Sequence, residues 1–151
     1  MINLRALPPL LLLLIAVVPV RGQGLGDTYV VAEDGRGRFA LASGGLVAAV
    51  HVDSGEHAAV VRAAGDLRDD VQRVTGTAPA LTVGGAPAGP VVLVGTIGRS
   101  PTIDALVRAG KLDVRQVAGR WETFVLQVVE RPLPGVPRAL VIAGSDRRGT
   151  I

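Results

Sequence analysis

Cysteine is absent from all 151 residues, which removes disulfide frameworks and thiolate metal sites from consideration. Aromatic residues amount to 3%, too few to build the stacking platforms on which single-stranded nucleic acids are held. The two histidines, His51 and His57, stand near no carboxylates at metal-ligand spacing, so neither a metal nor another cofactor is expected. Charge of one sign is also scarce. The formal +3 includes Arg5 and Arg21 of the leader; without them 16 − 2 = 14 basic residues face 13 acidic ones, a balance of +1. No long basic run remains to track a phosphate backbone, and nucleic acid is not an expected partner. What the chain does have is aliphatic residues. Hydrophobic residues make up 48%, which excludes a disordered chain and suits one ordinary domain.

Met1 to Gly22 reads MINLRALPPLLLLLIAVVPVRG. Arg5 supplies a positive start, Leu10 to Val18 an apolar stretch too short to span a bilayer comfortably, and Val20 and Gly22 the −3 and −1 positions of a cleavage site before Gln23. This is the plan of a secretory signal peptide. The protein is therefore expected to be secreted or periplasmic, with no membrane attachment once the signal is removed. Gln23 to Gly37 reads as a loose, Gly-rich lead-in, and residues 38–151 as one α/β domain.

Within that domain, strand and helix periods alternate. Arg38 to Ala42 and Val47 to Asp53 are expected to be strands around the turn Ser43-Gly44-Gly45 and could pair as a hairpin. Ala48, Val50 and Val52 fall on one face of the second strand, leaving His51 as an exposed residue on the other. Gly55 to Thr75 is the strongest helix. Val60, Ala64, Leu67, Val71 and Val74 form its apolar stripe, Arg62–Asp66 and Asp69–Arg73 its solvent-side pairs, Ser54 or Asp53 its cap and Gly76 its C-terminal stop. Pro79 to Val83 and Val91 to Val94 are strands joined by the loop or hairpin connection Gly84 to Pro90. Ser100 caps a helix that has Pro101 at its first position and ends at Gly110. Phe124 to Glu130 and Ala139 to Ala143 are the last strands, with the turn Pro132 to Pro137 between them. Gly149 and Thr150 could open a further helix capped by Ser145 or Asp146, and the chain stops at Ile151 where that helix would begin, the pattern of a fragment. The fold class is α/β: a mixed β-sheet with helices packed on it.

Three motifs fail on spacing. Gly95-Thr96-Ile97-Gly98-Arg99-Ser100 joins a strand to a helix, but its glycines stand too close and arginine replaces lysine for a phosphate loop. Its amides could still receive an anion, although a plain strand-to-helix turn explains it. Gly35-Arg36-Gly37 lacks the preceding strand and third glycine of a dinucleotide fingerprint. Gly144-Ser145-Asp146 lacks the second glycine of a nucleophile elbow. Trp121-Glu122 differs from these in chemistry. A Trp ring can cover the apolar face of a pyranose while a carboxylate accepts its hydroxyls; a core Trp beside a surface Glu is the other account. Asp146, Arg147 and Arg148, at the end of the last strand, form a second candidate edge, where an arginine could pair with a uronate or simply make an interdomain salt bridge.

Four stretches taken together carry a family resemblance: VVRAAGDLRDDVQRVTG (Val60 to Gly76), VVLVGTIGRSPTIDALVRAGKLDV (Val91 to Val114), GRWETFVLQVV (Gly119 to Val129) and PLPGVPRALVIAGSDRRGTI (Pro132 to Ile151). In order and spacing, from about Phe39 onward, they resemble the N-terminal domain of family 115 glycoside hydrolases, the xylan α-1,2-glucuronidases. The resemblance implies a small α/β domain like the noncatalytic N-terminal domain of family 20 hexosaminidases and family 67 glucuronidases, placed before a catalytic (β/α)₈ barrel. It implies an inverting enzyme that removes (4-O-methyl)glucuronic acid side chains from xylan, with its two carboxyl groups roughly 6.5–9.5 Å apart. No catalytic residue is expected in this piece, which alone should be inactive. Trp121, Glu122, Asp146, Arg147 and Arg148 are the expected substrate-binding residues. The expected partners are glucuronoxylan or a derived oligosaccharide and the downstream barrel. A stand-alone exported module that binds a sugar or an anion without catalysis is the alternative.

Overall fold

The computed structural model describes residues 30–32, 35 and 37–151. The signal peptide and most of the lead-in expected above lie outside the described residues. The chain divides after Ala32, and the unit from Glu33 to Ile151 carries the helices and strands found among the described residues. In order these are β1 (Ala42–Ser43), β2 (Leu46–Val47), β3 (Ala49–Val52), α1 (Ala58–Thr75), β4 (Leu81–Val83), β5 (Val91–Thr96), α2 (Pro101–Arg108), β6 (Phe124–Glu130), β7 (Arg138–Gly144) and α3 (Arg147–Thr150).

Five strands form one mixed sheet in the order β4-β3-β5-β7-β6. The first four run parallel, and β6 is antiparallel to β7 at the edge. Helices cover both faces, which is why β5 reads as an unbroken apolar run and is buried at every position. Val92 and Val94 pack with Val50, Val52, Val60 and Ala64 under α1. Val91 and Leu93 pack with Ile103, Leu106, Ala139, Val141 and Ala143 under α2. The α/β class and mixed sheet are thus as the sequence led us to expect.

Several local expectations are corrected. The hairpin forms only between β1 and β2, around Gly44 and Gly45, both with positive φ as a tight two-residue turn requires. β3 leaves it to join the main sheet. Gly84 to Pro90 is no hairpin connection, because β4 and β5 both run parallel to β3 and lie on either side of it; the loop returns the chain without a helix. α1 starts at Ala58 rather than Gly55, and its N-cap residue His57 makes no side-chain cap bond. Val60, Ala64 and Val71 are buried and Leu67 is half-buried, but Val74 is 86% exposed. Residues 72–78 are all exposed, so the last turn of α1 is not buried among the described residues. The ion pairs on this helix join Arg68 to Asp69 and Arg73 to Asp70, not Asp69 to Arg73. Gly76 does end the helix in the left-handed conformation, its N–H donating to the Gln72 carbonyl at 2.8 Å.

The α2 start matches its pattern. Ser100 Oγ accepts from Ile103 N at 3.1 Å, and Pro101 follows at the first helical position. Among the described residues no helix is long and apolar enough to cross a membrane.

Candidate functional site

In open α/β sheets, ligands bind beyond the carboxyl ends of the strands, where successive connections leave on opposite faces. Here β3 leads into α1 on one face and β5 into α2 on the other, so that point lies between β3 and β5. The chain fills it with its own carboxylates. The Glu56 side chain is fully enclosed. Its Oε2 accepts from Thr96 N at 2.7 Å, its Oε1 accepts from His57 N at 2.8 Å, and Arg99 Nε stands 3.7 Å away. Asp53 accepts from Ser100 Oγ at 2.5 Å, from Thr102 N at 3.0 Å and from Thr102 Oγ1 at 2.8 Å. Burial pushes the Asp53 carboxyl up, but the bonds from Ser100 and Thr102 outweigh it, and the nearby His51 ring adds to them. The net direction is below the usual aspartate value.

This settles the Gly95 to Ser100 segment as a strand-to-helix turn. Thr96 N is taken by Glu56, Ile97 N by the Gly144 carbonyl at 2.9 Å, Gly98 N by Asp104 Oδ1 at 2.8 Å, and the amides of Arg99 and Ser100 by the Thr96 carbonyl. No amide there is left for an external anion. His51 is also corrected: it is 2% exposed. Alternation predicts one wet face, but β3 lies inside a sheet covered on both sides. His51 Nδ1 meets Thr82 Oγ1 at 3.0 Å on β4, while the buried Nε2 stands 3.7 Å from Asp53 Oδ1 and makes no hydrogen bond among the described residues. Among the described residues no three His, Cys, Asp or Glu side chains gather to hold a metal.

A second cluster lies at the same edge, where β6 begins beside the end of β7. The β6–β7 register pairs Phe124 with Gly144, so the turn before β6 meets the turn after β7. Thr123 O accepts from Ser145 N at 2.8 Å, and Thr123 N donates to Ser145 Oγ at 3.2 Å. Asp146 caps α3, its Oδ1 accepting from Gly149 N at 2.8 Å, while its Oδ2 accepts from Glu122 N at 2.9 Å. These bonds from Glu122 and then Gly149 hold the Asp146 carboxyl below its usual value. Arg148 Nη1 donates to Glu122 Oε1 at 2.6 Å, and that bond raises the Arg148 guanidinium. Glu122 has φ 52°, a left-handed conformation that costs a residue with a Cβ about 1–2 kcal/mol.

The structure therefore merges the two candidate edges. Glu122, Asp146 and Arg148 are joined directly. Trp121 is 76% exposed beside them in the chain, so it is no core residue. Arg147 is exposed on α3, with no ion pair among the described residues. The sequence reading missed Glu56 as the carboxylate closing the sheet's switch point. The spacing Asp53-Ser54-Gly55-Glu56, between a strand and the first apolar position of the helix, was the available signal.

No protein-family model matches the chain, and no curated protein does. Among solved structures, the chain is similar to a family GH115 4-O-methyl-alpha-glucuronidase with specificity for decorated arabinogalactans, at 31% identity and a TM-score of 0.48. The match covers 68% of this chain and 12% of that one, so the chain spans only a small part of that protein's length.

Proposed function

We propose that this chain is the N-terminal α/β domain of an exported α-glucuronidase that removes (4-O-methyl)glucuronic acid side chains from glucuronoxylan, and that the Trp121–Glu122–Arg148 edge borders its sugar site. The four resembling stretches support the enzyme class. The observation that carries the site is an exposed Trp ring beside a fixed Arg148–Glu122 pair at the carboxyl edge of the sheet. A uronic acid offers an apolar ring face, hydroxyls and one carboxylate. Trp121 can cover the first, Glu122 can accept from the second, and the guanidinium groups of Arg147 and Arg148 can take the third. The catalytic acid and base lie on a downstream barrel of the same chain, and this domain alone releases no sugar. A front domain packed beside such a barrel can lend an edge to its active face.

The test uses the protein expressed from the complete reading frame, with glucuronoxylan and a decorated arabinogalactan as substrates. Glu122→Ala should lower kcat/KM at least about tenfold, or about 1.4 kcal/mol of transition-state binding, with little change in melting temperature. Unchanged kinetics in a well-folded variant would remove the edge from the site, and a reading frame closing at Ile151 would sink the enzyme reading. Export is the companion proposal. N-terminal sequencing of secreted protein should begin at Gln23, and a product still beginning at Met1 counts against it.

A further inference from the structure

Among the described residues other than glycine, only Glu122 and Arg131 have positive φ, and they flank β6 at its two ends. A left-handed residue with a Cβ persists only where its surroundings hold it. At Glu122 the holding group is visible. The Glu122 amide donates to Asp146 Oδ2 while Gly149 N donates to Asp146 Oδ1, so one carboxylate ties the turn before β6 to the first turn of α3. An asparagine cannot repeat this, because its side chain offers one acceptor oxygen and one donor nitrogen.

We infer that Asp146 is a positioning residue of this edge: its carboxylate holds Glu122 in the left-handed conformation and so aims the Glu122 carboxylate at Arg148. The inference rests on the sugar-site reading for its functional meaning, but the coupling it describes exists without ligand. Asp146 needs no contact with the sugar. It acts through Glu122, whose carboxylate then both fixes Arg148 and faces solvent beside Trp121. The charged groups around Asp146 are Glu122 from the turn before β6 and Arg148 from α3, with Arg147 adjacent in the chain.

The experiment is amide NMR on the ¹⁵N-labelled chain. In the wild type the Glu122 and Gly149 amide protons should shift together as pH falls, with one midpoint below the ordinary aspartate value, because both donate to the same carboxylate. In Asp146→Asn that shared titration should vanish, and the Glu122 three-bond HN–Hα coupling should leave its left-handed value. Glycine takes positive φ without steric cost, so in a Glu122→Gly background the same Asp146→Asn change should no longer disturb the turn. In the longer enzyme Asp146→Asn should raise KM at least fivefold and leave kcat within twofold. Separate midpoints for the two amides in the wild type, or a wild-type Glu122 coupling in Asp146→Asn, overturn the inference even if that variant folds poorly. If Glu122→Ala leaves the kinetics unchanged while the two amides still titrate together, the positioning role stands and the sugar reading fails.

Discussion

Gly144→Ala is expected to destabilise the domain by about 3 kcal/mol, lowering its melting temperature by roughly 10 °C for a unit of this size. A Cβ at Gly144 would press into Oγ1 and N of Thr150 and lie 2.6 Å from the Gly149 carbonyl carbon. Thr150 cannot retreat cheaply. Its Oγ1 is bonded to Thr96 Oγ1 at 2.9 Å and to the Asp146 carbonyl at 2.7 Å, and its N–H also reaches that carbonyl. Displacing α3 would break those bonds in a buried place and shift Arg148 off Glu122. Gly65→Ala is the matched control. The nearest heavy atom to a Cβ there is 4.0 Å away, and alanine in a helix interior gains about 1 kcal/mol over glycine. Calorimetry of the two variants should move in opposite directions; a Gly144→Ala protein that melts like wild type would mean that α3 does not pack on the end of β7.

Glu56→Ala should cost a similar amount, about 3 kcal/mol, for a different reason. The enclosed carboxylate satisfies the buried Thr96 amide and the His57 amide, and its removal leaves a buried donor unpaired and a cavity behind. Glu56→Gln keeps the volume and one acceptor, so its loss should be smaller, about 1–2 kcal/mol. The alanine variant should also be restored by formate. A small carboxylate that enters the vacated space binds only the folded protein and so raises the melting temperature with concentration. Wild type, whose space is filled, should show no such rise. An alanine variant as stable as wild type would make the carboxylate dispensable, and absence of rescue would show that the space collapses.

Elements whose rule is local were legible in the sequence. Ser100-Pro101 announced α2 because the cap and the fixed proline φ need no partner, and Phe124 to Glu130 was a strand to the residue. The failures share a cause in tertiary structure. Alternation places His51 in solvent because it speaks for one strand, while burial depends on what lies above the sheet. Val74 fits the stripe by spacing, yet at the last turn of α1 no described residue buries it. Glu56 looks like an ordinary polar residue before a helix, and the buried amide it satisfies, that of Thr96, lies 40 residues further along the chain. The candidate edge was legible as residue chemistry, with Trp121–Glu122 and Asp146–Arg148 as two pieces. That they form one constellation follows from the β6–β7 register, which no short stretch contains.

The strand order has a bearing on how the protein is made. β7 is the last strand of this sheet to be synthesised, yet it lies between β5 and β6. A chain emerging from the ribosome can assemble β3, β4 and β5 as a parallel core under α1, since each of those strands finds its neighbour among segments already made. β6 then emerges with no strand to pair with, carrying Phe124 and Leu126, which stay 57% and 42% exposed even in the finished fold. Until Arg138 to Gly144 arrives, that segment is a seven-residue strand, apolar except at Gln127 and Glu130 and open on both edges, the kind of template on which chains stick to one another. At about 5–20 residues per second the interval is brief for a single chain, but crowded nascent chains would meet at this strand first, and slow translation between Pro132 and Arg138 would prolong the exposure.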